Sequence, residues 1–525
     1  MRRHHALVLA AASLAALAGS APLPAQQHAH PTPGLGTVRF ATSCRPAVAP
    51  TFDRGIALLH SFEFGDAIRA FEEVARADSG CAMAHWGIAL ARWGNPMAAG
   101  NRAPAALARG SEAAAAATRL AAGATERERG YAAAAATLFA DHARVDQRTR
   151  VLAYERATAE LAARLPDDPE ARIFAALAMV QAAPPTDKTY ERQKRAGAIL
   201  EALWRDQPDH PGLAHYIIHS YDVPALAPQA AAAARRYAGI APAAAHALHM
   251  PSHTFTRLGL WEQSAETNRR SADAAMRTAS LGEALHASDY LVYAYLQMRR
   301  DSAARAIVDA LPAMAARFDP NAVTGAAPGS AGVFALKAIP ARWALERRAW
   351  AEAAALEPAA SPWPWTEAMT HFARALGSAR TGRLAEARAE ADSLDAIATR
   401  LAARGEGYWA EQVGIQALGA RGWIALAEGR RDDAVARLRE AATREAATEK
   451  SAVTPGPLAA ARQQLGDRLL ELGRAGDAIA EYRRTLEVEP NRLRALDVAR
   501  RDAEAAGDRA AAAEYARALA GLTGR

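Results

Sequence analysis

Residues 461–490 read ARQQLGDRLLELGRAGDAIAEYRRTLEVEP and contain the pattern that decides the fold. The first half places Leu465, Gly466 and Leu469 on one helix, and the second half is marked by Ala478, Tyr482 and Pro490. Small residues let paired helices approach closely, an aromatic side chain fills the gap between them, and proline ends the second helix. The stretch therefore predicts two helices packed as a hairpin.

The same skeleton recurs along the chain, which makes it a repeat. Ala511 and Tyr515 repeat the second-helix pattern 33 residues later, and related residues occur at Gly55, Ala67 and Gly422. This order of residues is that of the tetratricopeptide repeat (TPR), a helix-turn-helix unit of about 34 residues. Such a unit buries its apolar face only against its neighbours in a stack. The predicted fold is an all-α, right-handed α-solenoid of TPR-like hairpins.

The repeats predict a division of the chain into two solenoid segments. Residues 46–335 are expected to form an N-terminal TPR-like solenoid with a histidine-rich groove, and residues 336–525 a C-terminal TPR solenoid. Alanine, the best helix former, dominates the apolar residues, and no stretch shows the Val/Ile/Thr alternation that a sheet requires. With 525 residues, a repeat array or several domains is expected in place of one core.

The charge pattern argues against nucleic-acid binding, although the formal net charge is +6. Only four residues are lysine, and arginines alternate with acidic residues, as in residues 126–129, which read ERER. Interleaved charge of this kind is typical of a solvated helix face. A nucleic-acid site would require a patch of one sign, so the sequence predicts no nucleic-acid partner.

The N-terminus resembles a secretory signal peptide. Residues 2–5 are basic or histidine, residues 6–18 form an apolar run, and residues 23–25 read LPA. The run is too short to span a bilayer, so we expect residues 1–25 to be cleaved and no stable membrane anchor to remain. Residues 26–45 would then form an extended leader of an exported protein, periplasmic or secreted. An uncleaved anchor is the alternative.

Two cysteines, Cys44 and Cys81, lie in the first mature segment. An even number of cysteines in an oxidising compartment favours a disulfide. Two buried free thiols are the alternative.

Histidines recur in the middle of the chain at the spacing of the repeat. His215 and His219 lie 34 residues before His249 and His253, and each pair has the i, i+4 spacing that places two side chains on one helix face. In the TPR register this face lines the concave groove. The predicted groove or ligand-binding residues are His215, His219, Asp222, His246, His249, His253, His286, Asp289 and Tyr293. His215, His219, His249 and His253 are the predicted metal ligands.

A proline interrupts this region, since Pro251 lies inside a first helix of the repeat. Proline there removes a backbone donor and kinks the helix or makes it start late. Departures from local rules are expected at functional sites. The alternative interpretation is structural: each histidine would pack against an aromatic side chain or bond a neighbouring carbonyl, with Tyr216, Tyr221, Tyr290 and Tyr293 as partners.

Several motifs together resemble an exported bacterial TPR family without an assigned reaction. They are residues 58–64 (LLHSFEF), 81–87 (CAMAHWG), 185–190 (PTDKTY), 246–253 (HALHMPSH) and 447–450 (ATEK). They are spread over nearly the whole mature chain. The resemblance implies a TPR fold and export, and it implies no activity.

Two functions remain open from the sequence. The first is a non-enzymatic scaffold that binds a peptide or protein partner in its concave groove, since solenoids form extended binding surfaces. The second is a protein that binds a divalent transition metal, such as zinc or copper, through the histidines between 215 and 289. No phosphate-binding loop, nucleophile elbow or zinc-protease helix is present, which favours a non-enzymatic role and requires no cofactor other than this metal.

Overall fold

Helices dominate residues 30–523, the part of the chain that the computed structural model describes. The predicted signal peptide, residues 1–25, lies outside these residues. The first fifteen helices are α1 (Ala49–His60), α2 (Phe64–Ala77), α3 (Ala82–Trp93), α4 (Pro104–Ala121), α5 (Glu126–Thr137), α6 (Gln147–Arg164), α7 (Pro169–Gln181), α8 (Glu191–Asp206), α9 (Pro211–Ser220), α10 (Ala231–Ile240), α11 (Ala245–His249), α12 (Pro251–Arg257), α13 (Trp261–Arg277), α14 (Leu281–Gln297) and α15 (Asp301–Ala315).

Ten further helices complete the described chain. They are α16 (Gly329–Glu346), α17 (Trp350–Ala355), α18 (Pro364–Arg380), α19 (Leu384–Ala403), α20 (Gly407–Ala427), α21 (Arg431–Ala446), α22 (Ala461–Glu471), α23 (Ala475–Val488), α24 (Leu493–Ala505) and α25 (Arg509–Thr523). Two short strands, β1 (His30–Thr32) and β2 (Gly36–Val38), form an antiparallel hairpin before α1. Two 3-10 helices, Pro46–Val48 and Ala227–Ala230, precede α1 and α10.

Each helix packs against the next, and alternate helices also touch, as α7 touches α9 and α18 touches α20. This pattern of contacts is that of helical hairpins stacked into a solenoid. The predicted all-α solenoid of TPR-like hairpins is therefore confirmed.

Small residues lie at the helix crossings, as the repeat pattern predicts. A Cβ atom at Gly87 on α3 would approach the ring of Phe71 on α2 to 2.5 Å. At Gly466 on α22 it would approach the ring of Tyr482 on α23 to 3.1 Å. The absence of a side chain therefore allows the helices to pack closely over the aromatic ring.

The solenoid curls tightly, so that distant parts of the chain meet. The end of α1 contacts α9, and the indole N–H of Trp261 on α13 donates to the carbonyl of Asn491, 2.8 Å away, after α23. The repeat pattern alone predicts an open concave surface. In the structure two irregular segments fill this part of the groove: residues 319–328, and residues 447–460, which we call the strap.

Two large apolar cores lie in the two parts of the solenoid. One includes residues between 35 and 255, and the other includes residues between 334 and 495, with smaller clusters between them. The predicted boundary at residues 335 and 336 falls inside α16, which contributes Phe334 to the second core and Ala335 to an intermediate cluster.

A disulfide joins Cys44, in the leader, to Cys81, immediately before α3. The predicted pairing is confirmed. It ties the segment before α1 to the turn after α2, across a sequence separation of 37 residues. In the described part of the chain, no helix is both long and apolar enough to cross a bilayer.

Candidate functional site

Six histidines meet on the inner helices in the middle of the chain. They are His215 and His219 on α9, His246 and His249 on α11, His253 on α12 and His286 on α14. All six side chains are buried, with 0–6% exposure. Buried polar groups normally have hydrogen-bond partners, so each ring nitrogen has to be accounted for.

The break at proline separates α11 from α12. Pro251 is the first residue of α12, where its missing N–H costs nothing, and α11 ends two residues earlier. The helix predicted to kink or start late is therefore divided at Met250. His249 and His253 lie on opposite sides of the break, and their ring centroids are 5.0 Å apart.

The first histidine cluster consists of His215, His219 and His246. One ring nitrogen from each lies within 4.8 Å of the others. The Nδ1 atom of His215 donates to the carbonyl of His60 at 2.6 Å, and Nδ1 of His246 donates to the carboxylate of Glu283 at 2.9 Å. Both tautomers are thereby set, with a lone pair on Nε2. The Nε2 atoms of all three rings are buried without a hydrogen-bond partner.

The second histidine cluster consists of His249, His253 and His286, with ring nitrogens again within 4.8 Å of one another. The Nδ1 atom of His253 donates to the carboxylate of Asp222 at 2.8 Å. The Nδ1 atom of His249 donates to the side-chain oxygen of Asn268 at 2.7 Å. Asn268 uses its amide nitrogen to donate to a backbone carbonyl, so its oxygen faces the ring.

These hydrogen bonds leave a conflict between two nitrogens of the second cluster. With Nδ1 protonated on both rings, neutral His249 and neutral His253 each carry a lone pair on Nε2. The two Nε2 atoms lie only 3.0 Å apart. Two lone pairs at this distance repel each other, and a proton or a metal ion between them would relieve the repulsion.

Burial disfavours the proton. It lowers the pKa of four rings well below the ordinary histidine value, and neighbouring histidines lower it further; the four rings are those of His215, His219, His249 and His286. Burial also lowers the pKa of His253, although Asp222 opposes the shift. Neutral imidazole is the form that binds metal ions, and it dominates here at pH 7.

A third group, made of His60, Glu170 and His210, also brings potential metal ligands together, but it differs in its hydrogen bonding. His60 and His210 donate from Nε2 to the two oxygens of Glu170, both at 3.0 Å, and the hydroxyl of Tyr216 donates to Nδ1 of His60 at 3.0 Å. Both nitrogens of His60 and both oxygens of Glu170 therefore have partners. The group holds His60 in place, and the carbonyl of His60 in turn accepts the hydrogen bond from His215.

Charged side chains surround the second cluster. Burial raises the pKa of Asp222, but Lys450 and Arg257 outweigh it and hold this pKa well below its usual range. Arg257 donates to one Asp222 oxygen at 2.9 Å, and Lys450 lies 3.5 Å from the other. Burial lowers the pKa of Lys450 to about 8. Asp222 therefore remains an anion behind His253.

Two carboxyl groups lie behind the first cluster. Burial and the neighbouring Glu283 raise the pKa of Glu63 to about 8, so Glu63 is protonated at pH 7. Burial raises the pKa of Glu283, but His246 outweighs it and lowers the net value. Glu283 also accepts a hydrogen bond from the backbone N–H of Ala327, in the segment 319–328, at 3.0 Å.

The strap closes the site from the groove side. The hydroxyl of Tyr290, on α14, donates to the carbonyl of Ala452 at 2.9 Å, and Lys450 pairs with Asp222. A cavity of about 30 Å³ remains beneath the strap. Its lining includes His219 and His246 from the first cluster, His253 and His286 from the second, and residues 451–453 of the strap.

The structure brings together seven of the nine predicted site residues. The four predicted metal ligands divide between the two clusters, and His246 and His286 complete the sets of three. Asp222 lies behind His253. Asp289 and Tyr293 face away: Asp289 pairs with Arg342 at 3.0 Å, and Tyr293 bonds Glu489 and Arg492. The predicted exposure of the histidines to the groove is wrong, because the strap and the segment 319–328 cover them.

The hydrogen-bond partners that orient the rings are not among the residues predicted from the sequence. Glu283 lies three residues before His286 on α14, so helical spacing could have placed it near the histidines. Asn268, which accepts the hydrogen bond from Nδ1 of His249, has no comparable signal in the sequence. Phe62 is a further omission: it has a φ of 57°, is buried, and packs 4.3 Å from His215, and 5.8 Å from both His219 and His246, between ring centroids.

A larger cavity of about 460 Å³ lies on the other side of the strap, between α12–α14 and the C-terminal helices. Trp365 and Trp409 line it, with rings stacked 3.9 Å apart. Gln412, Gln416 and Lys450 contribute polar lining. The cavity is large enough for a small organic molecule or a few peptide residues.

Comparisons with known proteins give no family. No protein-family model and no curated protein match the chain. Three solved structures align with it at low similarity. The human IFIT1 dimer with m7Gppp-AAAA has 12% identity and a TM-score of 0.36, covering 84% of this chain and 90% of that one. Yeast Tom70 has 11% identity and a TM-score of 0.34, covering 88% and 96%. The APC/C Cut9–Hcn1 hetero-tetramer has 12% identity and a TM-score of 0.28, covering 90% and 94%. Similarity at this level assigns neither a family nor a function.

Proposed function

We propose that this solenoid binds a divalent transition metal through its buried histidine clusters. The contact between Nε2 of His249 and Nε2 of His253 is the observation that carries the proposal. Both rings donate from Nδ1 to oxygen acceptors, so both present lone pairs to the same point. A metal ion at that point turns repulsion between the lone pairs into two coordinate bonds.

The spacing of these nitrogens fits a metal ion. Imidazole nitrogens bind zinc at about 2.0–2.1 Å. Two nitrogens 3.0 Å apart can both lie at that distance from one ion, with an angle at the ion of about 95°. His286 supplies a third nitrogen within 4.8 Å. Ligand sets made of imidazole suit zinc, copper and nickel better than calcium or magnesium, which prefer oxygen.

The groups behind the ligands support the same interpretation. Metal-binding histidines almost always donate their other N–H to a carboxylate or carbonyl, which fixes the tautomer and the ring orientation. His215, His246 and His253 each have such a partner. The site is therefore organised for metal before any metal binds.

Metal analysis of the purified protein tests the proposal. After loading with zinc or copper and removal of the excess, the protein should retain the metal stoichiometrically. The variant His215→Ala/His249→Ala should retain much less. The control is His371→Ala, because His371 bonds Glu390 outside both clusters. A wild-type protein that retains no metal, or a double variant that retains as much as the control, would contradict the proposal.

Thermal unfolding gives an independent readout. A ligand that binds only the folded state stabilises it by about 2.7 kcal/mol at a free concentration one hundred times its dissociation constant. Zinc or copper should therefore raise the melting temperature of the wild type and of His371→Ala. The double variant should show no such rise.

Capture of a peptide or protein partner is a second candidate function, which the 460 Å³ cavity favours. The buried histidines are not its contacts. Trp409, which lines the cavity, is the test position: Trp409→Ala should abolish selection of peptides from a random library, and His249→Ala should not. Equal selection by wild type and Trp409→Ala would rule out this cavity as the binding site.

Export is also part of the proposal. The Cys44–Cys81 disulfide supports an oxidising compartment, and residues 1–25 have the order of a signal peptide. The mature protein should begin near Gln26, which mass spectrometry of the exported protein can measure. An intact N-terminus would contradict cleavage. Membership of the exported bacterial TPR family remains a prediction.

A further inference from the structure

We infer that the two histidine clusters hold two metal ions that share one small exogenous ligand in the cavity between them. This inference rests on the proposed metal binding and specifies it. The clusters have no residue in common, and each provides three ring nitrogens within 4.8 Å. Six nitrogens bound to one ion would all lie within about 4.2 Å of one another, twice the metal–nitrogen distance. The six rings instead form two separate groups of three, which indicates two ions.

The two clusters lie side by side. The ring centroid of His219 is 5.8 Å from that of His253, and the centroid of His246 is 5.7 Å from that of His249. These separations are similar to those between rings within one cluster, such as 6.5 Å for His219 and His246. Ions held by adjacent clusters are therefore close enough for one small ligand to touch both.

The cavity of about 30 Å³ lies where such a ligand would bind. Each cluster contributes two of its three rings to the lining: His219 and His246 from the first, His253 and His286 from the second. The cavity exceeds the roughly 10–15 Å³ that a cavity needs to hold one water molecule, so a water molecule or an ion of similar size fits. Three protein ligands with a fourth position open to a small ligand is the arrangement of reactive zinc sites, whereas structural sites are closed by four protein ligands.

Charge specifies the ligand further. Two divalent ions bring four positive charges, and six neutral imidazoles offset none of them. Of the ionised carboxylates that contact the rings, Asp222 is already paired with Arg257 and Lys450, which leaves Glu283. A small anion between the ions reduces their repulsion. A water molecule bound there would lose one proton to solvent and remain as hydroxide, since a bound ion lowers the pKa of water strongly.

The walls of the cavity exclude larger ligands. The residues around the four rings are mostly small or apolar, such as Ala327, Pro328, Trp365, Ala452 and Val453, and the polar ones are Asn95, Ser330 and Ser451. Hydroxide and azide are within the size limit, and organic anions with several carbon atoms are not. The larger 460 Å³ cavity lies beyond the strap and is a separate space.

Metal counting in single-cluster variants tests the number of ions. Wild-type protein loaded with copper(II) should hold two ions per chain. His246→Ala and His286→Ala should each hold one, and His371→Ala should hold two. The conservative variants His246→Gln and His286→Gln replace the alanine variants if these do not fold. A wild type that holds one ion would overturn this inference and leave the proposed function intact; a wild type that holds none would overturn both.

Electron paramagnetic resonance of the copper(II) protein tests the shared ligand and requires only the wild type. Two copper(II) ions that share one bridging anion should couple, so the signal of isolated copper(II) should be largely lost. Each single-cluster variant should recover that signal at one spin per chain. Added azide should change the optical spectrum of the wild type at one azide per two ions. Two uncoupled signals in the wild type, or two azides per chain, would overturn the shared ligand.

Discussion

The substitution Asp222→Asn examines how the second histidine cluster is organised for metal. Asp222 accepts a hydrogen bond from Nδ1 of His253 at 2.8 Å, so it fixes the ring with Nε2 free for the ion. Asparagine has nearly the same shape and can still accept this hydrogen bond. It lacks the negative charge, and it leaves Arg257 and Lys450 without a shared counterion.

The size of the loss in metal affinity follows from the distance between the Asp222 carboxylate and an ion bound on the far side of the His253 ring. The carboxylate lies about 7 Å from an ion bound at Nε2, and Coulomb's law at an effective dielectric constant of 20 gives about 5 kcal/mol for a divalent ion. This value is an upper bound, because the protein relaxes and the hydrogen bond persists. Substitutions of groups behind metal ligands usually weaken metal binding about 10–100-fold, which equals about 1.4–2.7 kcal/mol. We expect a loss in that range.

The assay is competition for zinc with a chromophoric chelator, and the control is Asp289→Asn. Asp289 is likewise an aspartate paired with an arginine, Arg342, but it contacts no histidine of either cluster. The side chain of Asp289 is fully buried, and that of Asp222 is 10% exposed. Both variants lose a buried ion pair, which costs about 3–5 kcal/mol of folding stability, so folding is checked first by circular dichroism. Equal zinc affinities for Asp222→Asn and Asp289→Asn would refute the reasoning.

Three further predictions concern stability. In the metal-free protein, the folded-state pKa values of His215, His219, His249 and His286 lie well below the unfolded value of about 6.5. The stabilisation from these four rings is therefore present above that pH and is lost as the pH falls below it, by up to about 1.4 kcal/mol per pH unit for each ring. Urea unfolding in the presence of a chelator, at about pH 7.5, 6.5 and 5.5, measures the free energy of unfolding on both sides of that pKa. A free energy of unfolding that does not change with pH would contradict the prediction. Replacing Cys44 and Cys81 by serine should cost about 4 kcal/mol on the chain-entropy model, which a lower melting temperature would report. Thr125→Ala removes a capping box at the start of α5 and should cost about 1 kcal/mol in urea unfolding, whereas Thr443→Ala, on an exposed helix face, should cost less; equal effects would argue against the cap.

Most of the fold could be predicted because the repeat pattern is local. Gly466 and Tyr482 lie sixteen positions apart, and contacts between paired helices depend on such short separations. The break at Pro251 was predictable for the same reason, since proline acts on its own helix. The disulfide could be predicted from the expected oxidising compartment and the even number of cysteines, without any knowledge of the geometry.

Which of the histidines contact one another was harder to predict from the sequence. The 34-residue offset aligned His215 with His249, but the structure combines His215 with His246, on the helix that follows in the stack. Sequence register relates equivalent positions in successive repeats, whereas contact depends on how far each inner helix is shifted and rotated against the next.

The closure of the groove depends on contacts between residues far apart in sequence. Lys450 meets Asp222 across more than two hundred residues, and Gly65 donates from its backbone to the carbonyl of Thr324 at 2.8 Å. The segments that make these contacts contain proline and glycine and have no helical period. Their sequence therefore indicates a loop, but it does not indicate which part of the solenoid the loop packs against. The curvature of the solenoid decides where they lie.

Anomalous X-ray diffraction from crystals of the metal-loaded protein, at the absorption edge of the metal, tests the central claim most directly. The account predicts a peak in the second cluster, with the Nε2 atoms of His249 and His253 at about 2.0–2.1 Å, and a neighbouring peak in the first cluster. Metal bound only at surface histidines, with both clusters free of anomalous density, would contradict it.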